Sequence, residues 1–243
     1  DSRPENLGTG EGFRTVDAEF SKSSNIYYPV DSTSLFAVSL YYAIETGHLQ
    51  FKRLDPIADL SAVVPNFSQT KIVLNAHRAA DSATPGQEYD NAEFLPYTIG
   101  SGTQQSTLNY FLTYPNYEIR ELPLGVNLGI MVHEYSHMVF HYLFFDPAYR
   151  ANVGVTDGKP TDSTLAALDE GMADYFGFLA TEDPGYFLCT FPDENRDISV
   201  PKVFGQNIVA DLATNSMGNF DPHAGGAVWA AIQYQIGQAL GSH

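Results

Sequence analysis

The run Leu124-Gly125-Val126-Asn127-Leu128-Gly129-Ile130-Met131-Val132-His133-Glu134-Tyr135-Ser136-His137-Met138-Val139-Phe140-His141-Tyr142-Leu143-Phe144-Phe145 decides how this chain is read. Pro123 before it and Asp146-Pro147 after it bound an apolar segment long enough to be a buried helix. On such a helix Leu128, Met131, Val132, Tyr135, Met138, Val139 and Tyr142 form a core stripe. His133 and His137 then stand about 40° apart around the axis and about 6 Å apart along it, on one face. Neutral imidazoles so placed can reach one Zn²⁺ at about 2.0–2.1 Å, and Glu134 between them can take a proton from a water on that ion. The bland alternative is a helix with two surface histidines, and the apolar setting weighs against it. His141 continues the series but lies about 12 Å along the axis from His133, too far to share an ion, so it is expected in the core or behind the ligands. Leu143, ten residues after His133, excludes the third histidine of a metzincin.

A second helix is expected from Leu165 to Leu179, capped by Asp162 or Ser163 and stopped by Asp183-Pro184-Gly185. Glu170 and Asp174 share one face of it. Carboxylates on an apolar helix are costly to bury unless paired or metal-bound. The simplest reason for them is that Glu170 is the third zinc ligand and Asp174 accepts the free ring N–H of a ligating histidine; the alternative is that both acids face solvent. Gly171 and Ala173 leave room for a close helix–helix approach.

The remaining chain supplies the walls. Asp31 or Ser32 can cap a helix through Leu35, Leu40 and Ile44 that stops near Gly47. Ala62-Val63-Val64, 71–74, 93–97 and 107–112 read as short strands of a small, mostly antiparallel sheet, and Pro96 makes 93–97 an edge strand able to accept an extended peptide. Asp1 to Thr15 reads as a loose arm or a first edge strand. Beyond Thr181 the chain is loop-rich. Arg196 there is either a substrate-carbonyl clamp or a surface arginine. The last helix, 224–236, has Trp229, Ile232 and Ile236 at core spacing, and His223 at its start either donates to an oxyanion or caps the helix.

Composition limits the partners. With 243 residues and 44% hydrophobic content the chain can bury one substantial core, and the single Cys189 forbids an internal disulfide. Twelve basic residues against 29 acidic ones, a formal charge of −17, argue against nucleic acid and anionic membranes. Solvated acidic surface accounts for that balance; bound Ca²⁺ is the alternative, with oxygen donors in a loop such as 157–162 but no EF-hand pattern. No uninterrupted apolar span reaches about eighteen residues, and the polar Asp1–Gly12 stretch is not a signal peptide.

Three separated pieces, HEYSH (133–137), DEGMAD (169–174) and a histidine ahead of a Gly- and Trp-containing helix (223–236), together resemble the gluzincin metallopeptidases, in particular thermolysin-like and fungalysin-like enzymes. The resemblance implies an α+β zincin-type catalytic domain, with residues 1–122 as an N-terminal lobe bearing the edge strand and 123–243 as a helical zinc-binding lobe. It implies His133, His137 and Glu170 as zinc ligands, Glu134 as general base, Asp174 behind the ligands and His223 as transition-state donor. DNAEFLP (90–96) is similar to the family's substrate-holding edge strand, which gives Asn91 and Ala92 that role, and Arg196 is similar in placement to the family's substrate-carbonyl arginine. The sequence departs from the pattern at three points: 33 residues separate His137 from Glu170, Asp169 stands where Asn is common, and Met138 where Gly is common. The helical C-terminal part is compact or lacks a distal lobe. The expectation is a secreted, monomeric zinc endopeptidase acting on peptides or proteins. An aminopeptidase with the same ligands is the enzymatic alternative, and a zinc-binding module without hydrolysis the non-enzymatic one.

Overall fold

The computed structural model describes residues 17–54, 60–76, 90–99, 106–114, 121–145, 160–192, 196–202 and 222–241. It is an α+β fold. The expected arm at 1–15 and the 157–162 stretch offered for Ca²⁺ lie outside the residues whose side chains are described. Among the described residues, no helix is long and apolar enough to cross a membrane.

Strands β1 (Phe20–Ser23) and β2 (Ile26–Pro29) form an antiparallel hairpin that the sequence reading did not anticipate. Its residues are almost all exposed, so it carries no apolar alternation to detect. Helix α1 (Ser32–Leu54) follows, with Asp31 as its cap: the Asp31 Oδ1 accepts the Ser34 backbone N–H at 2.7 Å. The helix does not stop at Gly47. A Cβ there would stand 2.8 Å from Cγ of Tyr135, so Gly47 marks a close helix crossing rather than a helix end.

The expected strand at Ala62-Val63-Val64 is instead part of one helical turn, α2 (Leu60–Val63), continued by Val64 N–H donating to the Leu60 carbonyl at 2.8 Å. Leu60 and Val64 are both buried, a period of four that the β-branched pair Val63-Val64 conceals. Strands β3 (Lys71–Val73), β4 (Ala92–Ile99) and β5 (Ser106–Thr113) make a sheet ordered β3-β5-β4, with β3 parallel and β4 antiparallel to β5. The sheet is therefore mixed, and β4, with Pro96, is an edge among the described residues.

A 3₁₀ turn (Leu124–Val126) leads into α3 (Leu128–Phe140), which continues as one π-helical turn (His141–Phe145). Asn127 caps α3 by accepting the Ile130 N–H at 3.3 Å. Helix α4 (Pro160–Thr181) begins at its proline, which has no N–H to lose there, so Asp162 and Ser163 lie inside its first turn instead of capping it. It ends where Glu182 adopts a left-handed φ of 58°. Helix α5 (Pro222–Leu240) packs against α4, and α4 against α3. Small residues carry the α5 contact: Gly225, Gly226, Ala227, Ala230 and Ala231 are buried, whereas the expected core residue Ile236 is 53% exposed. One apolar cluster joins α1, the sheet, α3, α4 and α5 around Met131, Tyr135 and Phe111.

The Ser34 N–H holds the Asp31 carboxyl below its ordinary 3.8. Because the folded value is lowered, the cap stabilises α1 above pH 3.8 and is lost as pH falls through the folded value. Asp31→Ala should therefore melt below the wild type at neutral pH, with the gap closing in thermal melts taken at successively lower pH.

Candidate metal centre

The imidazoles of α3 point into the groove between α3 and α4. His133 Nε2 and His137 Nε2 are 3.0 Å apart, and the Glu170 carboxylate of α4 lies 3.5 Å from the first through Oε2 and 3.7 Å from the second through Oε1. The three residues form a group that could hold a metal ion. Ligand atoms on a tetrahedral ion with bonds of about 2.0–2.1 Å stand about 3.3 Å from one another, and these separations bracket that value.

The outward ring nitrogens decide which atoms face the gap. His133 Nδ1 is 3.0 Å from Asp174 Oδ1, and His137 Nδ1 is 2.8 Å from Asp169 Oδ1. An ionised carboxylate only accepts, so these contacts favour the tautomer with the proton on Nδ1, which turns each Nε2 lone pair inward. Two lone pairs at this distance repel unless a cation lies between them. Burial works against a charged ring here, but Glu170 and Asp169 together push His137 up to about 10. His133 is also raised, with Asp174 and Glu170 outweighing burial and the neighbouring His137. Burial would lift Glu170, yet the facing imidazoles hold it well below the ordinary carboxylate range. Two imidazole nitrogens and one carboxylate are a donor set that a divalent metal ion such as Zn²⁺ can take.

Glu134 is buried beside the ligands, with Oε1 4.0 Å from His133 Nε2. Its Oε2 accepts the backbone N–H of Phe94 on β4 at 2.9 Å. Burial raises its carboxyl, with the nearby imidazoles pulling the other way. A carboxylate raised toward the working range suits proton transfer.

Arg196 is only 7% exposed, so the surface alternative is discarded. Its Nε and Nη2 grip Asp174 at 3.3 and 2.5 Å, Nη2 reaches Glu170 Oε2 at 3.4 Å, and the guanidinium lies 4.0 Å from the Phe187 ring centre. Asp174 stays below its ordinary range because Arg196 and His133 outweigh burial. His223 occupies the first turn of α5, half exposed, with Nε2 3.4 Å from Glu170 Oε1.

These groups line a cleft of about 490 Å³. Across it runs β4, entered through Asn91 and Ala92. The Tyr114 N–H donates to the Asn91 carbonyl at 2.8 Å, so odd-numbered residues from 91 bond to β5 while Ala92 and Phe94 turn their backbone groups to the free edge. His141 is neither core nor behind the ligands: it lines the cleft, its ring 5.9 Å from that of Phe94. Every site residue expected from sequence thus lies at this one cleft, except Asp174, which stands behind it. Sequence reasoning missed the anchoring roles of Asp169, Asn127 and the Phe94 N–H. An Asn just ahead of an apolar helix was a readable signal for Asn127, whereas a backbone donor leaves none.

Comparison with protein-family models, curated proteins and solved structures finds no match to this chain.

Glu170 is also held from α5. A Cβ on Gly226 would lie 2.5 Å from Cβ of Glu170 and 2.8 Å from the Gly171 nitrogen. Gly→Ala inside a helix ordinarily gains about 1 kcal/mol, but this overlap reverses the sign. Gly226→Ala should lose about 1–3 kcal/mol in denaturant unfolding.

Proposed function

We propose that this chain is a zinc-dependent endopeptidase. The observation that carries the reading is the convergence of His133, His137 and Glu170 with Glu134 beside them and an open strand edge opposite. A zinc ion held by the three ligands would supply a water acidified toward neutrality and a Lewis acid for the scissile carbonyl.

The chain's own groups do the rest. An extended peptide adds as a strand at the Ala92 and Phe94 edge by displacing Glu134 Oε2 from the Phe94 N–H, and Asn91 at the start of that edge holds its backbone. Glu134 Oε1, facing the ligand cluster, takes a proton and returns it to the leaving amine. His223, partly open to the cleft, donates to the oxygen on which negative charge develops, an interaction stronger in the transition state than in bound substrate. Arg196 keeps Asp174 and Glu170 ionised first and contacts a substrate carbonyl second, since its strongest bonds are to Asp174. The chain carries no GAMEN-type segment to grip a free amine, which favours internal peptide bonds. Its acidity and single cysteine fit a secreted, monomeric enzyme.

Glu134→Gln should retain stoichiometric zinc and lose about 10²–10⁴-fold in turnover of an unfolded protein. Chelation should abolish cleavage of N-terminally blocked peptides, and added zinc should restore it. Full activity of the Gln variant overturns the mechanism, and stoichiometric zinc without cleavage of any unfolded protein favours a non-hydrolytic binding module.

A further inference from the structure

Behind the ligands stands a buried phenol that the mechanism above does not use. Tyr186, 4% exposed, belongs to the turn that follows α4. Its ring fills a slot between α3 and α4 that two glycines leave open. A methyl group at Gly129 would overlap the edge of the ring, and one at Gly177 would stand 2.5 Å from the phenolic oxygen. The backbone of the turn is fastened to the start of α3. Asn127, whose side-chain oxygen caps that helix, donates from Nδ2 to the Tyr186 carbonyl at 3.0 Å and to Thr190 Oγ1 at 2.8 Å. Thr190 in turn donates to the Leu122 carbonyl at 2.8 Å.

A phenylalanine would fill this slot equally well. A buried hydroxyl without a partner is costly, and the partner here is Asp174: the Tyr186 hydroxyl donates to Oδ1 at 3.5 Å. The same oxygen receives Arg196 Nη2 at 2.5 Å and lies 3.0 Å from His133 Nδ1. Side chains from α3, from the turn after α4 and from the segment at Arg196 therefore meet at one carboxylate oxygen.

We propose that Tyr186 is a positioning residue for His133, acting through the Asp174 carboxylate. Its hydroxyl and the fastened turn hold the Asp174 carboxylate in place beside His133 Nδ1, so the ring keeps Nε2 toward the ligand gap. The slot formed by Gly129 and Gly177 exists to admit the phenol to that oxygen. The zinc arm of the test rests on the metal-site reading; the arm on metal-free protein does not.

The experiment compares wild type with Tyr186→Phe. In metal-free protein the His133 Nδ1–H resonance should shift on loss of the hydroxyl, and the zinc dissociation constant should rise roughly 3- to 10-fold, the lower side of the about 10–100-fold seen for direct partners of metal ligands. In an Asp174→Asn background the same change should have no further effect on either readout. Wild type gives an independent check that does not depend on any variant folding: a slowly exchanging phenolic proton should show a nuclear Overhauser contact to the His133 Nδ1–H. An unshifted resonance in Tyr186→Phe, additive effects in the double variant, or absence of that contact overturns the proposal. A shifted resonance without zinc binding supports it and sinks only the metal reading.

Discussion

The structure depends on the ionic contact of Asp174 with His133 and Arg196, made where α3, α4 and the loop after α4 meet. Asp174 is 1% exposed and His133 3%. Removing one partner from such a buried set leaves an uncompensated charge and costs about 3–5 kcal/mol, so the helices cannot drift apart without breaking it. The same contact sets the ring orientation of His133, which makes packing and site geometry a single problem. Asp169 does for His137 what Asp174 does for His133, but from a more exposed position and without an arginine behind it.

Close approach makes this contact possible, and glycine supplies it at each crossing. Gly47 lets α1 meet Tyr135 on the back of α3, Gly171 and Gly226 let α5 press on α4 beside Glu170, and Gly129 and Gly177 admit the Tyr186 ring. Interiors packed to crystal-like density convert a single added methyl into displaced neighbours. Here one of those neighbours is Glu170, a member of the His/His/Glu group.

Much of the centre was legible because its signals are local. Two histidines four apart and two carboxylates four apart are helix-face patterns that need no tertiary information, and they placed His133, His137, Glu170 and Asp174. The edge strand followed from Pro96, which can sit only where no ladder donor is required. What stayed hidden was non-local or lacked a side-chain signature. Gly47 read as a helix stop because nothing in the sequence reveals Tyr135 against it, 88 residues later. Val63 and Val64 read as strand because β-branching masks a helical turn, and Ile236 read as core although Gly and Ala make the α5 contact. Arg196 lay in a polar stretch, where its burial against Asp174 and Phe187 could not be foreseen.

The bond from the Phe94 N–H to Glu134 has a consequence for the protein's behaviour among other chains. An open sheet edge is a template for unwanted pairing, and proteins blunt such edges with charges, prolines or covers. Here a buried carboxylate already holds the central donor of β4, and Pro96, two residues on, has none to offer. A stray segment must first displace Glu134, so the cleft's own acid guards this edge against aggregation.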